Sequence, residues 1–238
     1  MRQHRLHLSV AAFDGTLPRM RRRATHVIFD MDGVLLDTER IYTEVTQLIV
    51  GRFGKTYDWS IKGNMIGRPA IDSARYLVET LALPITAEAY LAERAVIFEE
   101  LMPTAEMMPG ARALTSALAA RGVPMAVATS SSRAMYDLKT TRHRAWFASF
   151  AAVVLGDDPR VLRGKPAPDI FLVAAERLAA APADCVVVED SPAGVQAAQT
   201  AGMRVVAVPD PGIERSGFGD ADLVVESLEK VDVDTLLQ

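Results

Sequence analysis

From residue 25 onward the chain alternates short apolar runs with longer stretches of helical periodicity, and this rhythm constrains the fold more than any other feature. Six runs, at 25–29, 123–128, 151–155, 185–188, 204–208 and 223–225, are short and rich in valine, as strands covered on both faces must be. Strands of that kind, separated by helices, pair in parallel as βαβ units. The expected fold class is therefore α/β.

The rhythm breaks once. Between Thr38 and Met108 only helical patterns occur, the first placing Ile41, Val45, Leu48 and Ile49 on one face. Residues 59–65, 69–81 and 86–101 predict three further helices, with Pro69 suited to a helix start. Met108-Pro109-Gly110 marks the return, and a helix over 111–121 leads into the second strand. The chain thus divides into a basic extension (1–24), a core made of 25–37 and 109–238, and an all-helical insertion (38–108). The extension carries Arg2, Arg5, Arg19, Arg21, Arg22 and Arg23 against the single acid Asp14. A disordered leader is expected, with organellar targeting as the lesser alternative.

Composition limits the partners. With 50% apolar residues and a net charge of -4, the chain lacks the positive field that holds a nucleic-acid backbone. It also has no apolar stretch near the roughly 20 residues that cross a bilayer. The only cysteine, Cys185, lies in a strand run and reads as a small buried hydrophobe, so a cytoplasmic setting is expected. The partner is then a small molecule. A monomer is expected, with a dimer as the alternative.

Chemistry concentrates at strand ends. Asp30-Met31-Asp32-Gly33 directly follows the first apolar run, and in open parallel sheets ligands bind beyond the carboxyl ends of the strands. Residues i and i+2 leave a strand on the same side, so two carboxylates face one volume. At about 4 Å and an effective dielectric near 20 such charges repel by about 4 kcal/mol, which a cation would offset. Glu189-Asp190 ends another strand and adds two more acids. An oxygen-rich site of this kind suits a hard cation, magnesium first, and paired Cys or His ligands for zinc are absent from the sequence. Thr129-Ser130-Ser131-Ser132, at a strand end before a helix, supplies donors for a phosphate, and Lys165, in Gly164-Lys165-Pro166, supplies a fixed positive charge.

These four elements, in this order, resemble the motifs of the haloacid-dehalogenase superfamily of phosphatases and phosphotransferases, over about residues 27–208. The resemblance implies a Rossmann-like parallel core with an inserted helical cap that closes over the substrate. It implies Asp30 as the nucleophile and Asp32 as the acid and base. It also implies Thr129 and Lys165 as phosphoryl-binding groups, and Mg2+ held by the Asp30 carboxylate, the Asp32 carbonyl and Asp190, with Glu189 ligating directly or through water. Asp37-Thr38-Glu39 would form the hinge. Met65-Ile66-Gly67-Arg68 resembles a cap loop, which makes Arg68 a candidate for substrate choice beside Ser130.

Within the superfamily, residues 29–38, 128–131, 139–144 and 156–159 look most like the pseudouridine-5'-phosphatase branch, although flavin mononucleotide hydrolases and glycerol-phosphate phosphatases share much of this pattern. The expected activity is hydrolysis of a small phosphate ester such as pseudouridine 5'-phosphate or a similar nucleoside or sugar phosphate. The alternatives are a sugar phosphomutase and a non-catalytic phosphometabolite-binding protein. Dehalogenating relatives are disfavoured, because they lack the second acid that Asp32 supplies.

Plainer readings compete at several positions. Lys139 to Arg144 reads as the polar end of a helix, Asp169 as a helix cap, Arg68 as exposed surface, and His143 as no ligand. Phe13-Asp14-Gly15-Thr16-Leu17 echoes the first motif, but Ala12 stands where the nucleophile would be.

Overall fold

The computed structural model describes residues 23–65 and 70–238. The basic leader up to residue 22, with its motif echo at 13–17, and Arg68 lie outside the described residues. The apolar runs all become strands: β1 His26–Phe29, β2 Met125–Thr129, β3 Ala152–Leu155, β4 Cys185–Glu189, β5 Arg204–Ala207 and β6 Leu223–Val224. They form a six-stranded sheet in the order β3-β2-β1-β4-β5-β6, with every pair parallel.

Alternation along the strands divides the core into two layers. Val27, Phe29, Val127, Val186 and Val188 face one side, and Ile28, Ala126, Ala128, Val187 and Val205 face the other. Apolar residues cover both faces, as a parallel sheet requires.

The helices follow the chain. The insertion contributes α1 Thr38–Gly51, α2 Trp59–Lys62, α3 Ala70–Thr80 and α4 Ala87–Leu101, and the core contributes α5 Ala111–Ala120, α6 Arg133–Lys139, α7 Arg144–Phe147, α8 Asp169–Arg177, α9 Pro192–Thr200 and α10 Val233–Leu237. Helices α8 and α9 pack on the Ile28 side of the sheet. Helix α5, the aromatic group Trp146, Phe147 and Phe150, and the insertion's apolar residues gather with the Val27 side. Ala24, assigned by sequence to the leader, is buried, and its amide donates to the Leu237 carbonyl at 2.9 Å. Burial pushes the Cys185 thiol up to about 11, which fits a packed hydrophobe.

Two strand-like segments connect the insertion to the core. Leu36 bridges Met107, Asp37 N–H donates to Glu106 O, and Met108 N–H donates to Leu35 O. The outgoing and returning chains therefore form a paired stem, where independent loops could have served. Helix α1 begins with the Asp37 carboxylate accepting the Arg40 amide at 3.3 Å and buries Ile41, Val45 and Ile49 as predicted. Leu48 departs from prediction: it is 51% exposed. The buried arc extends instead to Thr46 and Val50, because the Thr46 hydroxyl meets the Tyr90 hydroxyl of α4 at 3.0 Å. A packing partner thus decided which edge of an apolar stripe was covered. Among the described residues no helix is long and apolar enough to cross a membrane.

Candidate active site

Strand order places the site. The chain runs from β1 outward through β2 to β3 and recrosses to β4 on the other side of β1, so β1 stands at the switch point where such sheets bind ligands. Phe29 pairs with Val127 on one side and Val188 on the other. The next residues in each strand direction, Asp30, Ala128-Thr129 and Glu189, thereby reach one rim.

One half of this rim centres on Lys165. Its ammonium donates to Asp30 Oδ1 at 2.5 Å and to Glu189 Oε1, and it lies 4.9 Å from the Phe171 ring centre. All three charged groups are buried, with side-chain exposures of 8% for Lys165, 8% for Asp30 and 1% for Glu189. The second Glu189 oxygen accepts from the Asp190 amide, the Ser191 amide and the Ser191 hydroxyl at 2.8, 2.8 and 2.9 Å. Glu189 thus ties the loop at the start of α9, while Ser191 caps that helix by accepting the Gly194 amide at 3.1 Å.

Two glycines make this density possible. A Cβ on Gly194 would lie 1.9 Å from the Glu189 carboxyl carbon. Gly33, at φ +74°, lets the chain turn in the left-handed region, and a Cβ there would lie 2.1 Å from an Asp190 oxygen.

Asp30, Glu189 and Asp190 each bring a carboxylate oxygen within 4.8 Å of the others. Burial pushes Asp30 up to about 7, against the pull of Lys165 and with added repulsion from Glu189 and Asp32. Burial also raises Asp190 well above the usual carboxylate range, reinforced by Glu189 and Asp30. Lys165 is shifted upward because its two carboxylate partners outweigh desolvation. A single ammonium therefore does not neutralise the trio. Hard oxygen donors in this number fit a hard divalent cation.

The other half of the rim surrounds Asp32, whose carboxylate is not among the three. Asp32 Oδ1 accepts from the Thr38 hydroxyl and the Lys139 ammonium, both at 2.6 Å, and Oδ2 accepts from the Ser131 hydroxyl at 3.0 Å and the Thr129 hydroxyl at 3.3 Å. Burial would raise this carboxyl, but Lys139 with Thr38 and Ser131 holds it below the usual range. Thr129 is fully buried and also accepts the Ser131 amide, so it is brought to Asp32.

A haloacid dehalogenase-like hydrolase family model matches residues 24–202. The chain belongs to this family. Over 213 residues it is 49% identical to a protein of Arabidopsis thaliana named (DL)-glycerol-3-phosphatase 2, covering 87% of this chain and 89% of that one. It is 47% identical over 213 residues to a Drosophila melanogaster protein named probable pseudouridine-5'-phosphatase, covering 88% and 92%. Among solved structures, an HAD family hydrolase of Deinococcus radiodurans with bound phosphate and sodium superposes with a TM-score of 0.75 at 26% identity, covering 87% of this chain and 93% of that chain. A hydrolase fold with phosphatase-named relatives is thereby established.

In this haloacid dehalogenase-like hydrolase, Asp30, Asp32, Ser130, Lys165, Glu189, Asp190 and Ser191 line one cavity of about 200 Å³ with Glu39, Trp59 and Lys62 of the insertion. Sequence reasoning missed the last two. Lys62 pairs with Glu39 at 3.1 Å, donates to the Thr43 hydroxyl and lies 4.9 Å from the Trp59 ring centre, while that ring packs on Gly212 of the core.

Two readings are corrected. Lys139 is not part of a polar helix end: it is 1% exposed and paired with Asp32. Its spacing of three from buried Tyr136 on α6 was the available signal. Asp169 does not cap its own helix. It accepts the Arg163 amide and guanidinium, bracing the loop that carries Lys165.

Proposed function

We propose that this chain is a magnesium-dependent phosphatase that hydrolyses a short phosphorylated polyol, of the size of glycerol 3-phosphate, through an aspartyl phosphate on Asp30. The observation that carries this reading is the buried contact of Asp30 with Lys165 beside Glu189 and Asp190 at the sheet's switch point. Asp30 and Asp190 would hold Mg2+ with the Asp32 carbonyl, and Glu189, whose oxygens are already engaged, would act through water. The bound ion would neutralise charge on the phosphoryl oxygens and the acid cluster.

Lys165 holds the Asp30 carboxylate in place for in-line attack and offers a donor to a phosphoryl oxygen. An Asp30 oxygen bonds to phosphorus as the bond to the leaving alcohol breaks, and Asp32 gives that alcohol its proton. Asp32 then removes a proton from water, which attacks phosphorus, releases phosphate and regenerates Asp30. Ser130 lies on the cavity wall, where its hydroxyl can meet the phosphate. The insertion, read as a cap, closes the leaving-group side through Glu39, Trp59 and Lys62. Arg68 keeps its proposed part in substrate choice.

The choice of a short polyol draws on the 49% identical Arabidopsis relative named (DL)-glycerol-3-phosphatase 2, and a cavity of about 200 Å³ has room for a ligand of that size. A second reading, pseudouridine 5'-phosphate, draws on the Drosophila relative and on Trp59, a 42% exposed ring at the cavity wall that a base could stack against. The test is phosphate release from glycerol 3-phosphate, pseudouridine 5'-phosphate and flavin mononucleotide, with Mg2+ and with excess chelator. Preference for glycerol 3-phosphate that vanishes on chelation is the expected result. Undiminished turnover in chelator would reject the mechanism, and a higher kcat/KM for pseudouridine 5'-phosphate would select the second reading.

A further inference from the structure

Lys139 ends α6, yet its ammonium is carried inward. It is 1% exposed and makes contacts to Asp32 Oδ1 at 2.6 Å, Ser131 Oγ at 2.8 Å and the Tyr42 hydroxyl at 3.3 Å. An ammonium has three N–H donors, and these three partners use them all. Burying a lysine is costly unless it is paired and hydrogen-bonded, and among the described residues Asp32 is its only carboxylate partner. The partners come from separate parts of the chain: Ser131 from the loop after β2, Tyr42 from α1 of the insertion, and Asp32 from the loop after β1. Tyr42 is itself anchored, edge-on to Phe98 of α4 with ring centres 4.9 Å apart. The other three donors to Asp32, from Thr38, Thr129 and Ser131, are neutral hydroxyls. Of the donors to Asp32 among the described residues, only Lys139 carries a charge.

We propose that Lys139 is a positioning residue for Asp32, fixing its carboxylate between the phosphate loop and the first helix of the insertion and thereby setting its reach to the leaving oxygen. This rests on the phosphatase reading, in which Asp32 protonates the departing alcohol. A purely structural lysine would affect all substrates alike, whereas one that aims a general acid matters only where the leaving group needs a proton.

The experiment compares the full chain with Lys139→Met, in Mg2+, on glycerol 3-phosphate and 4-nitrophenyl phosphate. The ratio kcat/KM covers events up to alcohol release, and nitrophenolate departs without a proton. The expected loss is about 10- to 100-fold on the alkyl ester and within about 3-fold on the aryl ester, as for a misaimed catalytic group. Equal losses on both esters, or no loss on either, overturn the proposal. If the Met variant does not fold, Tyr42→Phe carries the test, since it keeps the ring against Phe98 and removes one partner of the ammonium. There the same asymmetry, smaller, supports the proposal and its absence overturns it. A wild-type chain that turns over neither ester would instead reject the phosphatase reading.

Discussion

Asp30 and Asp32 stand two residues apart, and each meets a buried lysine, yet their surroundings are built differently. Among the described residues, the charged groups that meet Asp30 come from the core: Lys165 from the loop before α8, and Glu189 and Asp190 from the end of β4. Asp32 is held by both parts of the molecule, with Ser131 and Lys139 from the core and Thr38 from the insertion's first helix. Charge follows the same division. The Asp30 side has more carboxylate than ammonium and its acids are pushed up, whereas the Asp32 side has one acid, one lysine and hydroxyls, and Asp32 is held down. Two carboxylates in one motif are thereby given opposite electrostatic surroundings, one short of positive charge and the other paired with its own ammonium.

The sharpest way to break this comparison is Asp30→Asn. Turnover of every phosphate ester should fall by more than about 10⁴-fold, because the covalent route closes. The fold should remain, since repulsion within the trio drops. Steady-state phosphate release near the wild-type level would remove Asp30 as nucleophile.

Asp32→Asn should show the other character. We expect kcat/KM on glycerol 3-phosphate to drop by about 10²–10⁴-fold, the usual range for a lost acid or base, with 4-nitrophenyl phosphate much less affected. Equal losses on the two esters would merge the two halves into one.

A milder test addresses packing on the Asp30 side. Gly33→Ala and Gly194→Ala each drive a methyl group into a carboxylate of the trio, and overpacking of this kind costs about 1–3 kcal/mol. Gly33 should be the more sensitive, because its φ of +74° strains any other residue. Thermal unfolding measures both, and unchanged midpoints would show that the rim yields more easily than its density implies.

The smallest effect is expected from Trp59→Ala. At the cavity wall contributed by α2, it should alter the ranking of glycerol 3-phosphate against pseudouridine 5'-phosphate while leaving activity on 4-nitrophenyl phosphate within about 3-fold. An unaltered ranking would make Trp59 a mere contact with Gly212.

How much of this was legible beforehand depends on the range of the interactions involved. Strand runs, the α/β class, the helical interruption and the acids at strand ends were all readable, because each is encoded in consecutive residues. Asp30, Glu189 and Asp190 could be named because a strand end carries its next residue to the rim whatever packs above it, and Lys165 because it stands in a Gly164-Lys165-Pro166 loop as a fixed positive charge. Lys139 could not. A lysine at the end of a short helix reads as solvated, and only the fold brings Tyr42, Ser131 and Asp32 around it.

By itself, then, the sequence determined the sheet, the helical stretch between β1 and β2 and which acids follow strand ends, since local periodicity and strand-end position follow from short-range stereochemistry. The tertiary structure alone decided that Leu48 stays exposed while Thr46 is covered, that Asp169 braces a loop, and that Lys62 and Trp59 wall the cavity. It alone decided, too, that Asp32 faces a buried lysine. Each of these outcomes depends on which distant segment arrives beside a residue, and burial and charge pairing are properties of that meeting.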